Sequence, residues 1–430
     1  MMPNRRSPMA NKAYRPASLW LHDGTAPRPY HLLQRRADVL WLMGRWQEAG
    51  PLYRRNAGWA EAAGQPALAA KSLNDLGWML SLRGESDQAL ELLRRAGQSY
   101  QRLGDRPGLA LSLRYEGNVL QRLGHSDQAL ALYRRSLELS RGCGDEEGMA
   151  GTLNSIANIE SQRGDFEGSL RRYQESLAIV ERIRGADKQA VVLGNIGVLY
   201  AEMRDFDRAM AMFQRAAALS AQAGDKFQQA AALGNITLLC YQRGEYDEAR
   251  ALAERRIAIA AEVGDDKGRA VSLSHLGMVH SALHDLGGAV AFFEQAIAIA
   301  RGQNIRYFLK NFLLDLAEVL VRAQDGPRAA PVLDEARSLA EEIGDAPAVL
   351  RCRKLQADLA ALTDRAAAAG QLEALLPETG DEALRADIHA ALFELGRGAE
   401  HREKAAAIYR LLHKQTGAVE FAEKMARLSA

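Results

Sequence analysis

The sequence predicts an all-α solenoid of about nine to ten helical hairpins, with one hairpin in each repeat of roughly 40 residues. Three observations support this fold class. Small residues recur at this fixed period, apolar residues around them follow helical spacing, and glycine marks helix ends at the same period. The 430-residue chain also exceeds the roughly 250–300 residues at which a single core stops growing, so a repeat architecture accommodates its length.

The first segment has a different composition from the rest of the chain. Residues 1–29 contain five prolines and several arginines, which is typical of a chain without regular structure. We therefore predict a basic, mostly unstructured leader over residues 1–29, followed by the first helix.

Four columns of residues define the repeat, and small side chains dominate each of them. The first column, on the first helix of each hairpin, contains Ala37, Gly77, Gly117, Ala157, Gly197, Thr237, Gly277, Ala317 and Ala357. The second contains Gly44, Gly84, Gly124, Gly164 and Gly244, with Arg204 and His284 as exceptions. The third column, on the second helix, contains Ala49, Ala89, Ala129, Ser169, Ala209, Ala249, Ala289 and Ala329. The fourth, also on the second helix, contains Ala96, Ser136, Ser176, Ala216, Ala296 and Ala336, with Arg256 as an exception. Small residues let the two helices approach closely, because a bulky one overpacks the crossing.

Glycine and aspartate mark the helix ends. The second-column glycine supplies the left-handed residue that ends the first helix. A further glycine ends the second helix, and the Asp after it can cap the free N–H groups of the next helix. These pairs are Gly104–Asp105, Gly144–Asp145, Gly224–Asp225, Gly264–Asp265 and Gly344–Asp345.

The register of the repeat is lost beyond about residue 360. Residues 361–430 are predicted to form degenerate repeats and C-terminal capping helices, because the end of a solenoid needs a polar outer face. The predicted helices are Leu362–Leu376, Ala383–Leu395, Ala405–Lys414 and Val419–Leu428.

The pattern resembles the tetratricopeptide repeat. The second repeat carries Leu73, Leu76, Gly77, Leu80, Ala89, Leu93 and Ala96, with Gln101 in place of the usual proline, and the third carries Leu113, Glu116, Gly117, Leu120, Ala129, Tyr133 and Ser136. The period is longer than the usual spacing of about 34 residues. It is similar to the 40-residue variant found in Pins/LGN polarity adaptors and in bacterial signalling proteins. The resemblance covers residues 30–360 and implies a right-handed superhelix whose first helices line a concave, ligand-binding face.

The resemblance places a partner-binding groove on the first helices. The residues implied are Asn74, Trp78, Arg114, Tyr115, Asn118, Gln121, Arg122, Asn154, Asn158, Gln162, Gly194, Asn195, Glu202, Gly234, Asn235, Tyr241 and Gln242. Asn and Gln offer both donors and acceptors, so a row of them can satisfy the backbone of an extended segment. In the alternative interpretation, these amides solvate the inner face or bond to the adjacent repeat.

Two glycines inside predicted first helices need a separate explanation. Gly194 and Gly234 each cost roughly 1 kcal/mol relative to alanine in a helix. Something is therefore expected to approach these two positions closely. The candidates are a ligand and the neighbouring hairpin.

Composition excludes several classes of function. The 55 Lys and Arg residues balance 54 Asp and Glu residues, so we expect neither nucleic acid nor an anionic membrane as the main partner. Cys143, Cys240 and Cys352 are too scattered for a metal site and suit a reducing cytoplasm. No apolar run approaches the roughly 18 residues of a membrane span. We predict a cytoplasmic protein without a cofactor.

The candidate enzyme motifs have structural explanations. His280 and His284 are four residues apart, but one falls in an apolar packing column and the other in a turn, so we do not predict a metal site. The Gly-Asp pairs belong to helix ends and not to a phosphate-binding loop. We therefore assign no catalytic residue and predict a protein that is not an enzyme.

The leading functional prediction is an interaction scaffold that binds an extended or helical segment of a partner protein in the concave groove. The alternative is a peptide- or ligand-responsive regulator of a separate signalling, transcription or protease partner. In either case we expect the output to lie on another chain. The sequence leaves the partner and the oligomeric state open.

Overall fold

The computed structural model describes residues 29–42, 45–303 and 305–429, which form 21 helices. The predicted leader lies outside these residues except for Pro29, where the first helix begins, and Gly44 also lies outside them. The helices are α1 (Pro29–Leu42), α2 (Trp46–Ala62), α3 (Pro66–Leu82), α4 (Ser86–Leu103), α5 (Arg106–Arg122), α6 (Ser126–Cys143), α7 (Glu146–Gln162), α8 (Phe166–Arg182), α9 (Ala186–Glu202), α10 (Phe206–Ala223), α11 (Lys226–Gln242), α12 (Tyr246–Val263), α13 (Asp266–Ala282), α14 (Leu286–Gly302), α15 (Arg306–Arg322), α16 (Gly326–Ile343), α17 (Ala346–Ala360), α18 (Arg365–Leu375), α19 (Glu382–Glu394), α20 (Ala399–Thr416) and α21 (Val419–Ser429).

The described chain divides into two compact units. Unit 1 contains the residues up to Leu199 together with Ala218–Asp225, and unit 2 contains Tyr200–Ala217 together with the residues from Lys226 onward. Within unit 1, helices α1–α8 pack as four consecutive hairpins, and within unit 2, α11–α16 pack as three more. The fold is therefore the all-α solenoid of helical hairpins that the sequence predicts.

The turns between helices have the predicted backbone conformation. Gly84 and Gly104 adopt positive φ angles of 84° and 70°. The exceptions Arg204 and His284 adopt the same left-handed conformation, with φ of 64° and 63°. The geometry of the turn therefore overrides the preference of these two side chains for negative φ.

Aspartate side chains cap the helices that follow the turns. The carboxylates of Asp105, Asp145, Asp265 and Asp345 each accept a hydrogen bond from a backbone N–H in the first turn of the next helix, at 2.8–3.1 Å. These caps satisfy donors that the helix itself leaves free. The prediction of Gly-Asp helix boundaries is confirmed at these four positions.

Hairpins in both units are built around contact between a small first-helix residue and a larger second-helix residue. A Cβ atom at Gly77 would lie 2.8 Å from Leu93, one at Gly117 would lie 2.5 Å from Tyr133, and one at Gly277 would lie 2.9 Å from Phe293. The three second-helix residues share one register position relative to the glycine. The small column thus makes room for a large apolar side chain from the second helix.

First helices pack against one another within each unit. Helix α5 contacts both α3 and α7, and α13 contacts both α11 and α15. In the described part of the chain, consecutive second helices make no comparable contact. The first helices are therefore closer together, and their outward side chains form the concave side of each unit, here called the first-helix face.

The C-terminal helices continue unit 2. Helices α17 and α18 pack together, as do α19 and α20, and α21 returns against α20. Leu372, Ile388 and Leu392 form one buried cluster, and Tyr409 and Phe421 belong to another. The four helices predicted beyond residue 360 are present, while the assignment of this region as a cap stays a prediction. No helix in the described ranges is sufficiently long and apolar to span a membrane.

Two glycine substitutions test the packing of the hairpins. Gly117→Ala places a methyl group against the ring of the fully buried Tyr133, so we expect a destabilisation of about 1–3 kcal/mol. Gly194→Ala meets no atom within 4 Å, so the helix propensity of alanine should increase stability by roughly 0.8–1 kcal/mol. Urea unfolding followed by circular dichroism measures both changes. Shifts of the same sign for the two variants would contradict this account.

Candidate functional site

An aromatic–arginine cluster occupies the first-helix face of unit 1. It consists of Trp78, Arg114, Tyr115 and Arg122. The rings of Trp78 and Tyr115 stack at 4.8 Å between centroids and 14° between planes. The Arg122 guanidinium carbon lies 5.1 Å from the Trp78 ring centroid, and that of Arg114 lies 5.1 Å from the Tyr115 ring centroid. Four of the predicted site residues, from two consecutive first helices, are thus in contact.

Both arginines of this cluster lack a carboxylate partner. Arg122 donates a hydrogen bond to the backbone oxygen of Ser81 at 2.9 Å, and burial lowers its pKa. Nε of Arg114 is buried without a hydrogen-bond partner. Among the residues that the structure describes, neither side chain forms an ion pair with Asp or Glu. The positive charge of the cluster therefore contacts aromatic faces and a carbonyl group, and no described carboxylate lies within ion-pair distance of it.

Two of the predicted site asparagines hold their own hairpins together. The hydroxyl of the buried Tyr133 donates to Oδ1 of Asn118 at 2.7 Å, and the hydroxyl of Tyr173 donates to Oδ1 of Asn158. Asp38, at the equivalent position two repeats before Asn118, accepts from Tyr53 at 2.9 Å in the same way. An acidic or amide side chain at this register position therefore satisfies a buried tyrosine of the second helix. The sequence contains this signal, because the two residues of each pair recur at one fixed separation.

Other amides bond from one repeat to the next. Asn195 Nδ2 donates to Oδ1 of Asn154 at 2.9 Å, and Gln121 Nε2 donates to Oε1 of Gln162 at 3.2 Å. The alternative interpretation of the sequence is that these amides bond to the adjacent repeat, and the structure shows such a bond for all four residues. Contact with a partner through their remaining groups stays a prediction.

Asn74 does not lie on an accessible surface. It is fully buried, and neither side-chain atom has a hydrogen-bond partner. The equivalent residue Arg114 shows the reason. Its guanidinium lies 3.0 Å from the position that a Cβ of Gly151 on the next first helix would take. The longer Arg114 side chain thus reaches past the neighbouring first helix, whereas the shorter Asn74 side chain is completely covered, and its assignment to the groove is wrong.

The two helical glycines have different surroundings. No atom lies within 4 Å of a Cβ built at Gly194, so that position is open. A Cβ at Gly234 would lie 2.7 Å from Cζ of Arg256, a residue of α12. The close approach expected at Gly234 is therefore made by the second helix of its own hairpin, and neither a ligand nor a neighbouring hairpin is needed to explain it.

The remaining predicted residues lie in unit 2. Glu202 is exposed, while Asn235, Tyr241 and Gln242 are half-buried. Burial, with the carboxylate of Glu420 as a smaller contribution, raises the pKa of Tyr241. Glu420 belongs to α21, so the last helix approaches this end of α11.

Helix α21 lies against the turn between α11 and α12. The side chain of Val419 covers Gly244, with Cγ2 at 3.2 Å from the position of a Cβ there. Burial, with the facing carboxylate of Glu423 as a smaller contribution, raises the pKa of Tyr246. The sequence offers no signal for this contact, because it joins distant parts of the chain and α21 lies beyond the periodic region.

Charged side chains line the first-helix face of unit 2 beside α21. Burial raises the pKa of Asp315 to about 7, and the nearby Arg351, at 3.8 Å, only partly offsets it. Glu318 lies 3.5 Å from the same guanidinium, and Lys424 of α21 pairs with Asp387 at 2.8 Å. The acidic side chains on this part of the face are therefore paired with Arg351 and Lys424, whereas the arginines of the unit 1 cluster form no ion pair with a described carboxylate.

The two histidines considered as metal ligands have other roles. Nδ1 of His280 lies 2.7 Å from Oδ2 of Asp285, the residue that caps α14. His284 is the left-handed residue of the preceding turn. In the described ranges, no three or more His, Cys, Asp or Glu side chains converge as metal ligands.

Several solved structures share this fold at low sequence identity. A Rap protein complexed with Competence and Sporulation Factor is 14% identical, with 83% of this chain and 99% of that chain covered and a TM-score of 0.59. Aspartyl phosphate phosphatase F from Bacillus subtilis is 13% identical, with 84% and 93% covered and a TM-score of 0.53. A STAND ATPase with a tetratricopeptide repeat sensor, from Pyrococcus horikoshii, is 14% identical, with 79% and 52% covered and a TM-score of 0.52. At these identities the similarity concerns the fold alone.

No curated protein matches the sequence. Two family models, both described as tetratricopeptide repeat, do match it. One matches residues 30–96, 148–222 and 228–302, and the other matches residues 117–147. These segments together cover more than half of the chain, which therefore belongs to the tetratricopeptide repeat family.

Proposed function

We propose that this protein is an interaction scaffold whose first-helix face in unit 1 binds an extended segment of a partner protein. The observation that carries this proposal is the aromatic–arginine cluster, where Trp78 and Tyr115 stack and two guanidinium groups pair with no carboxylate of the described residues. Tetratricopeptide repeats are interaction modules, and no arrangement of described side chains suggests a reaction. The phosphatase named among the structures of similar fold is not a basis for assigning an activity here.

The chemistry of the cluster favours an acidic segment. A guanidinium group binds carboxylates through charge-assisted hydrogen bonds, and aromatic faces provide apolar contact area beside them. Asn154 and Asn195 continue the same face on the following first helices and can contact the backbone of an extended chain. A segment with an Asp or Glu and an adjacent apolar residue fits these groups.

Replacement of the two arginines tests this proposal. In Arg114→Gln/Arg122→Gln the charge is lost, and since each charge-assisted hydrogen bond contributes about 1.5–3 kcal/mol, affinity for a captured partner should fall about tenfold or more. The control is Arg134→Gln/Arg135→Gln, which removes two charges from exposed positions on the second helix α6 of the same unit. The measurement is quantitative affinity capture followed by titration calorimetry with the partner. If both double variants lost the same affinity, or if Arg114→Gln/Arg122→Gln lost none, the partner would bind outside the aromatic–arginine cluster.

A second function, as a regulator, is favoured by the position of α21. We propose that α21 covers part of the first-helix face of unit 2 and must move before a partner binds at α11 and α12. The contact of α21 with α11 and α12 involves few residues. Val419 lies over Gly244, and Glu420 and Glu423 lie beside Tyr241 and Tyr246. Phe421 and the Lys424–Asp387 ion pair hold α21 against α19 and α20, so a partner needs to displace only the contacts of α21 with α11 and α12.

This docking depends on pH. Burial, together with the carboxylates of Asp387 and Glu318, raises the pKa of Glu420, and Lys424 opposes the shift. Because the pKa is higher in the docked state than in the free side chain, docking is favoured at pH values below the free pKa. It weakens as the pH rises through the docked value. The effect is modest because Glu420, although its carboxylate is crowded by neighbouring side chains, keeps much of its surface exposed to solvent.

Hydroxyl-radical labelling of tyrosines tests the docking of α21. We expect oxidation of Tyr241 and Tyr246, relative to the exposed Tyr307, to increase in Val419→Ser/Glu423→Ala, which leaves the buried Phe421 in place. It should also increase in the wild type between about pH 5 and pH 8, and Glu420→Gln should reduce that increase. Unchanged labelling in the double variant would show that α21 does not cover this surface.

A further inference from the structure

Arg256 interrupts a column of small residues. The equivalent positions in neighbouring repeats hold Ser136, Ser176, Ala216, Ala296 and Ala336. Arg256 is nevertheless buried, with 9% of its surface exposed. Its side chain extends from α12 to α11, where Cζ and Nη1 lie 2.7 Å from the position of a Cβ on Gly234. The missing side chain of Gly234 provides the space that the guanidinium fills.

The guanidinium has no partner for its buried donors. Nε and Nη1 of Arg256 are both buried without a hydrogen bond, and among the described residues no carboxylate forms an ion pair with it. Burial lowers the pKa of Arg256, and the carboxylate of Asp265, which opposes this shift, accepts a hydrogen bond from the backbone N–H of Gly268 as the cap of α13. A buried cation that is compensated only from a distance, with no direct ion pair, still costs free energy, so a bound anion stabilises the folded protein.

A histidine of the next hairpin lies within range of the charge of Arg256. Nδ1 of His275, on α13, is also buried without a partner, while the residue as a whole is half-buried. Burial, and to a smaller extent the charge of Arg256, lowers the pKa of His275 to about 3, so its imidazole is neutral at physiological pH. A neutral imidazole can donate one hydrogen bond to an acceptor beside the guanidinium.

We propose that Arg256 and His275, above Gly234, form a carboxylate-binding site on the first-helix face of unit 2 that takes an Asp or Glu side chain of a partner. Gly234 and His275 lie on the consecutive first helices α11 and α13, and His275 is only half-buried, so we expect the ligand to approach from the first-helix face. A carboxylate fits because the guanidinium supplies several N–H donors in one plane and the imidazole supplies another. The site is independent of the aromatic–arginine cluster of unit 1.

Thermal unfolding in glutarate, a small mimic of a glutamate side chain, tests this site. The unfolding temperature of the full chain should rise with glutarate concentration, relative to sodium chloride at equal ionic strength, because a ligand that binds only the folded state stabilises it. Arg256→Met should lose this dependence. Arg256→Ala should lose it as well, and it introduces the residue that neighbouring repeats carry. The matched control Arg255→Met removes an exposed charge one residue earlier and should keep the full response.

A second readout identifies the site directly. In protein labelled with carbon-13 at the histidine ring, the resonance of His275 should shift saturably with glutarate in the wild type and not in Arg256→Met. An equal glutarate response in Arg256→Met and Arg255→Met, or a His275 resonance that does not move in the wild type, would overturn the proposal. Neither result depends on whether unit 1 binds a partner.

Discussion

The close crossing of the two helices in each hairpin determines most of what this protein can do. Gly77, Gly117 and Gly277 lie directly beneath a large second-helix side chain, and a single added carbon would collide with it. Since one hairpin cannot bury both of its apolar faces, neighbouring hairpins stack, and first helices pack next to first helices. The spacing of a first-helix residue from this glycine therefore determines whether its side chain reaches the concave side.

That register also explains why the polar residues of the first helices differ in role. Where the second helix carries Tyr133 or Tyr173, the first helix carries an asparagine that accepts from its hydroxyl. Where the second helix instead carries Leu93, the equivalent first-helix residue is Trp78, which is left to stack on Tyr115. Trp78 thus joins the aromatic–arginine cluster from a repeat that has no tyrosine at this position of the second helix, whereas the other three members lie on the first helix that packs against Tyr133.

The sequence predicts the fold well because its determinants are local and repeated. Glycine turns, aspartate caps and small columns each recur at one period, and even Arg204 and His284 follow the backbone conformation of their column. The candidate site is less predictable, because accessibility depends on contacts between helices. Asn74 has the same residue type as the half-buried asparagines of the first-helix face but is completely covered. The contact of Gly234 with Arg256 could be predicted only by noticing that a glycine and an arginine, at two different positions of the same repeat, both differ from the residues of other repeats. The contact of α21 with α12 could not be predicted from the repeat, because α21 lies beyond the periodic region.

Side-chain footprinting of the protein with a captured partner tests the central claim most directly. Trp78 and Tyr115 lie on the first-helix face of unit 1, whereas Trp59, which is 40% exposed beneath the guanidinium of Arg55, lies on a second helix of the same unit. If the first-helix face binds the partner, oxidation of Trp78 and Tyr115 falls on binding and that of Trp59 is unchanged. Protection of Trp59 with unaltered oxidation of Trp78 and Tyr115 would contradict the account.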